Sequence, residues 1–316
     1  MVIITSCPIS ERHVKAIREI SPVIDLRVYP SIEQAQESFA DAEVLITYGE
    51  DLTPEIVKEM KRLKWIQVFS AGIEKMPLQQ LEEQHVLVTN ARGIHRIPLA
   101  EHVLGMMLVF AHRFHVFFDL QRTHTWDRSV RLEELYGKTV GIIGVGAIGS
   151  AIAEKAKAFQ MRTMGVNTTG KSVPFVDETY PVQEMDRVLA ESDYVVVIVA
   201  LTPETKGFIG EREFKQMKES AIFINVSRGA VVDESALIRA LKEGWIGGAA
   251  LDVFVEEPLP PEHPLWSLPN CVITPHMSGR SPKYMERAQE IFRHNLNVYL
   301  HGTGEMINVI DPKKGY

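Results

Sequence analysis

Val140-Gly-Ile-Ile-Gly144-Val-Gly146-Ala-Ile-Gly149 decides the fold of this 316-residue chain. An apolar strand, Val140–Ile143, runs into glycines spaced GxGxxG, and a helical run from Ala151 to Phe159 follows. The spacing alone is weak evidence. The strand before it and the helix behind it are what the chemistry of a phosphate cradle requires. Gly144 permits the tight turn, Gly146 lets the backbone approach a pyrophosphate, and Gly149 allows close helix–strand packing. Ala147 and Ile148 are candidate cofactor contacts within the loop, and the helix behind it offers free N–H groups and a positive dipole end to the phosphates. The alternative is a glycine turn used only for packing.

Outward from this loop the chain reads as two α/β series in tandem. Before it, strands are expected at Val2–Ser6, Ile24–Val28, Glu43–Thr47, Trp65–Phe69 and Val86–Thr89. Helices fall between them, at Ser10–Ile20 and, with Pro54 in its first turn, at Thr53–Arg62. After it, strands are expected at Arg162–Val166, Tyr194–Val199, Ala221–Asn225, Gly248–Leu251 and Val272–Ile273, with a last helix at Pro282–Leu300. Such alternation implies parallel sheets covered on both faces. The two series are joined by one long helix, Leu99 to about Gln121, apolar almost all round, and by a loop from Thr123 to Gly137. Met106-Met107 on that helix reads as core packing.

Composition narrows the function. With 34 Lys and Arg against 41 Asp and Glu the formal charge is -7, which gives no footprint for nucleic-acid phosphates. Cys7 and Cys271 are too few for a disulfide framework and fit a reducing, cytoplasmic setting. The longest apolar run, Tyr194–Leu201, is far shorter than the ~20 residues of a membrane span, and no basic-then-apolar secretory leader is visible. The expectation is a cytoplasmic enzyme with no membrane or nucleic-acid partner.

The strand after the glycine loop bears on which dinucleotide binds. A site for NAD usually ends that strand with Asp or Glu. Here it runs into Asn167-Thr168-Thr169-Gly170-Lys171, where no carboxylate repels a 2′-phosphate and Thr168, Thr169 and Lys171 can donate to one. This charge logic favours NADP over NAD; the alternative is a plain ribose on Asn167 and a solvated Lys171.

Three residues follow strand ends in the second series: Arg228 in Asn225-Val-Ser-Arg-Gly229, Glu257 in Asp252-Val-Phe-Val-Glu-Glu-Pro258, and His276 in Thr274-Pro-His-Met-Ser-Gly279. Ligands of open α/β sheets bind outside the carboxyl ends of the strands, so all three are expected at the rim that bears the glycine loop. Singly each reads as an ion pair, a solvated acid or a turn histidine. Together they make a catalytic set. Arg228 offers a planar, permanently charged fork to a carboxylate and its neighbouring carbonyl. His276 can give a proton to that oxygen, and Glu257 would favour the imidazolium and fix the ring.

The sequence resembles the D-isomer-specific 2-hydroxyacid dehydrogenases through Gly137–Gly149, Leu201–Thr205, Asn225–Asp233, Gly248–Phe254, Glu257–Leu259 and Asn270–His276, and more weakly through Ser70–Gly72 and Leu99–His102. The resemblance implies two Rossmann-like domains. One is a flavodoxin-like substrate domain, 1–97 with 286–316; the other is a dinucleotide-binding domain, 98–285. It implies further cofactor contacts at Ala200, Leu201, Thr205, Val226, Ser227 and Ser278, with Asp252 at the nicotinamide end. It also implies substrate contacts at Ser70, Ala71, Gly72 and Ile73, and a homodimer built on the long helix and the loop after it, where Trp126 reaches a neighbouring subunit.

The expected activity is NAD(P)H-dependent reduction of a small 2-keto acid such as glyoxylate or hydroxypyruvate. Alternatives are a phosphoglycerate dehydrogenase-like enzyme, against which the length leaves no room for an added regulatory domain, and a dinucleotide-sensing corepressor. Two features depart from the pattern. Arg92, His95 and Arg96 make the exit of the first series unusually basic, either for a second acidic group on the substrate or for salt bridges. His112 and His115 have the i,i+3 spacing of metal ligands, but no companion motif, and read as interface or surface residues; no metal is expected.

Overall fold

The computed structural model describes residues 1–73 and 75–311. In chain order its elements are β1 (Val2–Thr5), α1 (Glu11–Arg18), β2 (Asp25–Val28), β3 (Val44–Thr47), α2 (Pro54–Glu59), β4 (Trp65–Val68), α3 (Leu78–Glu83) and β5 (Leu87–Thr89). Then come α4 (Arg96–Ala111), α5 (Phe114–Arg122), β6 (Thr139–Ile143), α6 (Ala147–Ala158), β7 (Arg162–Asn167), β8 (Glu178–Pro181), α7 (Met185–Glu191) and β9 (Tyr194–Val197). The chain closes with α8 (Glu211–Gln216), β10 (Ile222–Asn225), α9 (Glu234–Glu243), β11 (Gly248–Leu251), β12 (Cys271–Ile273) and α10 (Tyr284–His301). Two compact units result: Met1–Ile94 joined by the chain from Ser281 onward, and His95–Arg280.

The first unit is a five-stranded sheet of order β2-β1-β3-β4-β5, parallel throughout. This is the flavodoxin-like order. Its inner strands β3 and β4 are buried along their whole length, because helices cover both faces. On one face Ile4, Leu45, Ile66 and Val88 pack with Val57 and Leu81. On the other Ile3, Val44, Ile46, Trp65 and Phe69 pack against Phe292 and Leu296 of α10, so the last helix completes this unit. Trp65 stacks on Phe292 with centroids 5.4 Å apart and donates its indole N–H to Thr89 Oγ1 at 2.9 Å.

The second unit is a seven-stranded parallel sheet of order β12-β11-β10-β9-β6-β7-β8. The order reverses at β6, the strand that feeds the glycine loop, which is where a doubly wound sheet binds its ligand. Edge strand β8 is absent from the sequence reading. Its residues Glu-Thr-Tyr-Pro are all half-exposed and carry no apolar run, and Pro181 is tolerated there because the strand has one pairing edge.

The single helix expected over Leu99–Gln121 is two. Arg113 takes a left-handed backbone, φ +52°, so α4 stops and α5 leaves at 64° to it. His112 stacks on Phe114, and the ring of His115 packs at a tilt against Phe110 across the break. The burial on several sides expected of α4 is not seen: Leu99, Ala100, Val103, Leu104, Met107 and Phe110 are buried along one face, whereas Met106, Leu108 and Val109 on the other are half-exposed. By contrast α5 buries none of its residues. No single helix is long and apolar enough to cross a membrane among the described residues.

Candidate active site

At the end of β6 the glycine loop has the geometry a dinucleotide needs. Gly144 takes φ +105°, and a Cβ there would meet the carbonyl oxygen of Ile198 at 2.5 Å. A Cβ at Gly149 would meet the carbonyl oxygen of Gly144 at 2.9 Å, which fixes the helix against its own loop. Gly146 is the opposite case: exposed at the N-terminus of α6, an added Cβ meets no atom within 4 Å. The backbone there is bare, with no side chain capping α6. Ala147 and Ile148 begin the helix, four residues earlier than the apolar pattern indicates. These residues fit a pyrophosphate on the helix N-terminus.

After β7, Asn167 closes the turn that bears the other candidate cofactor residues. Its Oδ1 accepts from the N–H groups of Thr169 and Gly170, and its Nδ2 donates to the carbonyl of Lys171 at 2.9 Å. Oδ1 and one Nδ2–H of Asn167 shape the loop, and Thr168, Thr169 and Lys171 stand exposed around Gly170. Past β9, Thr205 Oγ1 donates to the carbonyl of Ala200 at 2.6 Å, pinning the exposed turn that carries Leu201. Past β10, Val226 and Ser227 are buried, and Asn225 Oδ1 accepts from both the N–H and the hydroxyl of Ser227.

The candidate catalytic residues sit on three loops tied to one another. His276 Nδ1 lies 2.8 Å from Glu257 Oε2, and Glu257 Oε1 accepts the N–H of Phe254 at 2.9 Å. Both carboxylate oxygens are thus directed, and the Nδ1 proton is held toward the acid, leaving Nε2 for chemistry. His276 itself takes a left-handed backbone, φ +51°, a strain of about 1–3 kcal/mol for a residue with a Cβ. Its N–H donates to the carbonyl of Asp252 at 2.8 Å. Asp252, 1% exposed, accepts from the N–H groups of Met277 and Ser278 and from the hydroxyls of Thr274 and Ser278. Those four donors fill its lone pairs, so this carboxylate fastens the loop that presents His276.

Arg228 follows β10 with its side chain exposed, and Nη1 donates to the carbonyl of Ser227 at 2.8 Å. Beside it, Gly229 presses on the loop leading to Glu257: a Cβ there would fall 1.9 Å from the carbonyl carbon of Phe254. Only glycine lets these two loops meet.

In the first unit, Ser70–Ile73 follow β4. Ser70 Oγ donates to the carbonyl of Gly72 at 2.7 Å, and Asn90 Nδ2 to that of Ala71 at 2.7 Å. With those carbonyls engaged, the N–H groups of Ala71, Gly72 and Ile73 donate to no acceptor among the described residues.

The basic stretch at the start of α4 divides. Arg92 and Arg96 are exposed, whereas His95 is half-buried with Nδ1 3.1 Å from the carbonyl oxygen of Gly279. Burial, with Arg228 and His276 adding to it, holds the His95 imidazole below its ordinary range. Burial does the same for His102 and His115. His115 Nδ1 lies 3.3 Å from the carbonyl of Val109, so His112 and His115 are engaged with neighbouring rings and backbone.

All three histidines bind their protons more weakly folded than unfolded, so their contribution is present above their ordinary value of 6.5 and is lost as pH falls through their lowered folded values. Melting at about pH 5.5 is therefore expected below that at about pH 7.5, and His102→Asn should narrow the gap. Carboxylates such as Glu178, lowered from 4.5, titrate below this window. An unchanged gap in the variant refutes the assignment.

Comparison with known proteins identifies the family. The family model for the D-isomer specific 2-hydroxyacid dehydrogenase NAD binding domain matches residues 104–278. The glyoxylate reductase of Pyrococcus furiosus is 36% identical over 279 residues, 85% of this chain and 83% of that one. The chain belongs to the D-isomer-specific 2-hydroxyacid dehydrogenases. It is an NAD(P)-dependent oxidoreductase acting on the CH–OH group of 2-hydroxy acids. The D-3-phosphoglycerate dehydrogenase of Methanocaldococcus jannaschii is 33% identical over 303 residues, 95% of this chain but 57% of that protein. Among solved structures, the D-isomer specific 2-hydroxyacid dehydrogenase of Xanthobacter autotrophicus, in complex with NADPH and MES, is 27% identical with a TM-score of 0.81, covering 100% of this dehydrogenase and 99% of that chain.

Proposed function

We propose that this dehydrogenase works as an NADPH-preferring reductase of small 2-keto acids, glyoxylate and hydroxypyruvate foremost, in a reducing cytoplasm. The observation that carries the reading is the His276–Glu257 pair, which leaves one imidazole nitrogen for the substrate, on the same loop system as Arg228. A nicotinamide dinucleotide held at the glycine loop would supply the hydride. Arg228 binds the substrate carboxylate and leans on the carbonyl oxygen; His276 gives that oxygen its proton and recovers one in the reverse direction; Glu257 positions the ring. Within the unit built from 1–94, the N–H groups of Ala71, Gly72 and Ile73 are the proposed substrate contacts. The 95–280 unit is the dinucleotide domain and the unit built from 1–94 the substrate domain.

Gly146 and the N-terminus of α6 receive the pyrophosphate, and Thr168, Thr169 and Lys171 a 2′-phosphate. Trp126 is 91% exposed and Phe118 56%, with Phe114, Leu132 and Tyr136 also exposed, so α5 and the segment after it carry the apolar surface proposed to pair two subunits.

A panel of glyoxylate, hydroxypyruvate, pyruvate and a 3-phosphorylated keto acid, each with NADPH and NADH, tests the reading. Glyoxylate or hydroxypyruvate with NADPH should be reduced fastest, and Lys171→Glu should raise the KM for NADPH about tenfold while sparing NADH. A preference for NADH untouched by that substitution would overturn the cofactor assignment. Fastest turnover of the phosphorylated acid would favour the phosphoglycerate dehydrogenase reading.

A further inference from the structure

His95 does not share the fate of its basic neighbours. It precedes α4 and reaches Gly279, which ends the loop bearing His276. A carbonyl only accepts, so Nδ1 carries the proton in this bond. The approach leaves no slack: a Cβ on Gly279 would lie 2.9 Å from His95 Nδ1. The loop from Thr274 to Gly279 is thereby fastened at two points. Asp252 holds Thr274, Met277 and Ser278 from the end of β11, and His95 holds Gly279 from the start of α4. His276, between these points, has its own N–H on the carbonyl of Asp252. Without the second point the Asp252 bonds become a hinge, about which the far end of the loop can swing.

We propose that His95 is a positioning residue for the reduction, clamping the His276 loop to the start of α4 through its Nδ1–H bond to Gly279. The proposal rests on the dehydrogenase reading above for its effect on turnover, but the clamp is a property of the unliganded chain. Protonation at Nδ1 is all the bond needs. Asparagine can take over the donor because its side-chain nitrogen stands where Nδ1 does, whereas leucine fills the same space and donates nothing.

Three variants of the full chain test the clamp: His95→Leu, His95→Asn and Gly279→Ala, the last of which attacks the same bond from the glycine side. Hydrogen exchange at the Met277 and Ser278 amides, measured without cofactor or substrate, reports opening of the loop. His95→Leu should speed it about fivefold or more. It should also lower kcat about tenfold or more, with NADPH affinity unchanged, because a misplaced acid costs rate, not cofactor binding. Gly279→Ala should behave likewise, and His95→Asn should retain both exchange protection and kcat. Unmoved exchange in both His95→Leu and Gly279→Ala overturns the clamp, as does an asparagine variant no better than leucine. A wild-type protein that reduces none of the panel acids would sink the dehydrogenase reading; a wild type that does, with exchange unmoved, sinks only the clamp.

Discussion

His276→Ala is expected to lower kcat for keto-acid reduction by ~10²–10⁴-fold while leaving NADPH binding close to wild type. The size follows from the arrangement. With Glu257 Oε2 at 2.8 Å from Nδ1, the imidazole is held in the tautomer that offers Nε2, and nothing else on its loop can supply a proton at that point. The clean separation from binding follows from the backbone. The loop is fixed by Asp252 through the N–H groups of His276, Met277 and Ser278 and the hydroxyls of Thr274 and Ser278, none of which uses the imidazole. Alanine tolerates the left-handed backbone somewhat less well than histidine, but the Asp252 bonds that fix the loop are all retained, so the fold should survive.

Glu257→Gln is the informative companion. The amide can turn its nitrogen toward Nδ1, which then has to accept, and the proton moves to the wrong nitrogen. Its loss should be partial in kcat and absent in NADPH affinity. Near-normal turnover in His276→Ala, measured by single-turnover oxidation of NADPH, would remove His276 from the acid–base role.

The parts of this picture that were legible from residues are those written in local pattern. Val140–Gly149 announces a strand and a phosphate-type turn within ten residues, whereas the sheet order that reverses at β6 depends on strand pairings far apart in the chain. Arg228, Glu257 and His276 were legible because each follows an apolar strand, and the strand ends line up once the sheet is parallel. What stayed hidden depends on contacts distant in sequence or on backbone choices no residue type announces. The break between α4 and α5 lies at Arg113, an arginine in a conformation usually marked by glycine or asparagine. The four donors of Asp252 come from residues 22 to 26 positions away. His95 reads as one more positive charge until its bond to Gly279, 184 residues on, is seen. Asn167 is a further case: a ribose ligand by position, it also shapes its own turn through Oδ1 and one Nδ2–H.

Arg228→Gln should cost about 2–5 kcal/mol in kcat/KM for the keto acid, because it leaves a desolvated carboxylate without its charged partner. That corresponds to roughly 30- to 4,000-fold. The loss belongs to the side chain alone. The backbone of Arg228 is set by its neighbours: Asn225 Nδ2 donates to its carbonyl at 3.3 Å, Ser227 before it is buried, and Gly229 after it is wedged against Phe254. Glutamine can therefore occupy the position without moving the loop to Glu257, and the His276–Glu257 pair should persist. Arg228→Lys separates charge from shape. Lysine keeps the positive charge but presents a point where arginine presents a fork, so it should recover part of KM and little of kcat if the guanidinium both binds the carboxylate and polarises the carbonyl. Full recovery by lysine would reduce Arg228 to an electrostatic attractor, and a defect confined to NADPH affinity would move it out of the substrate site altogether.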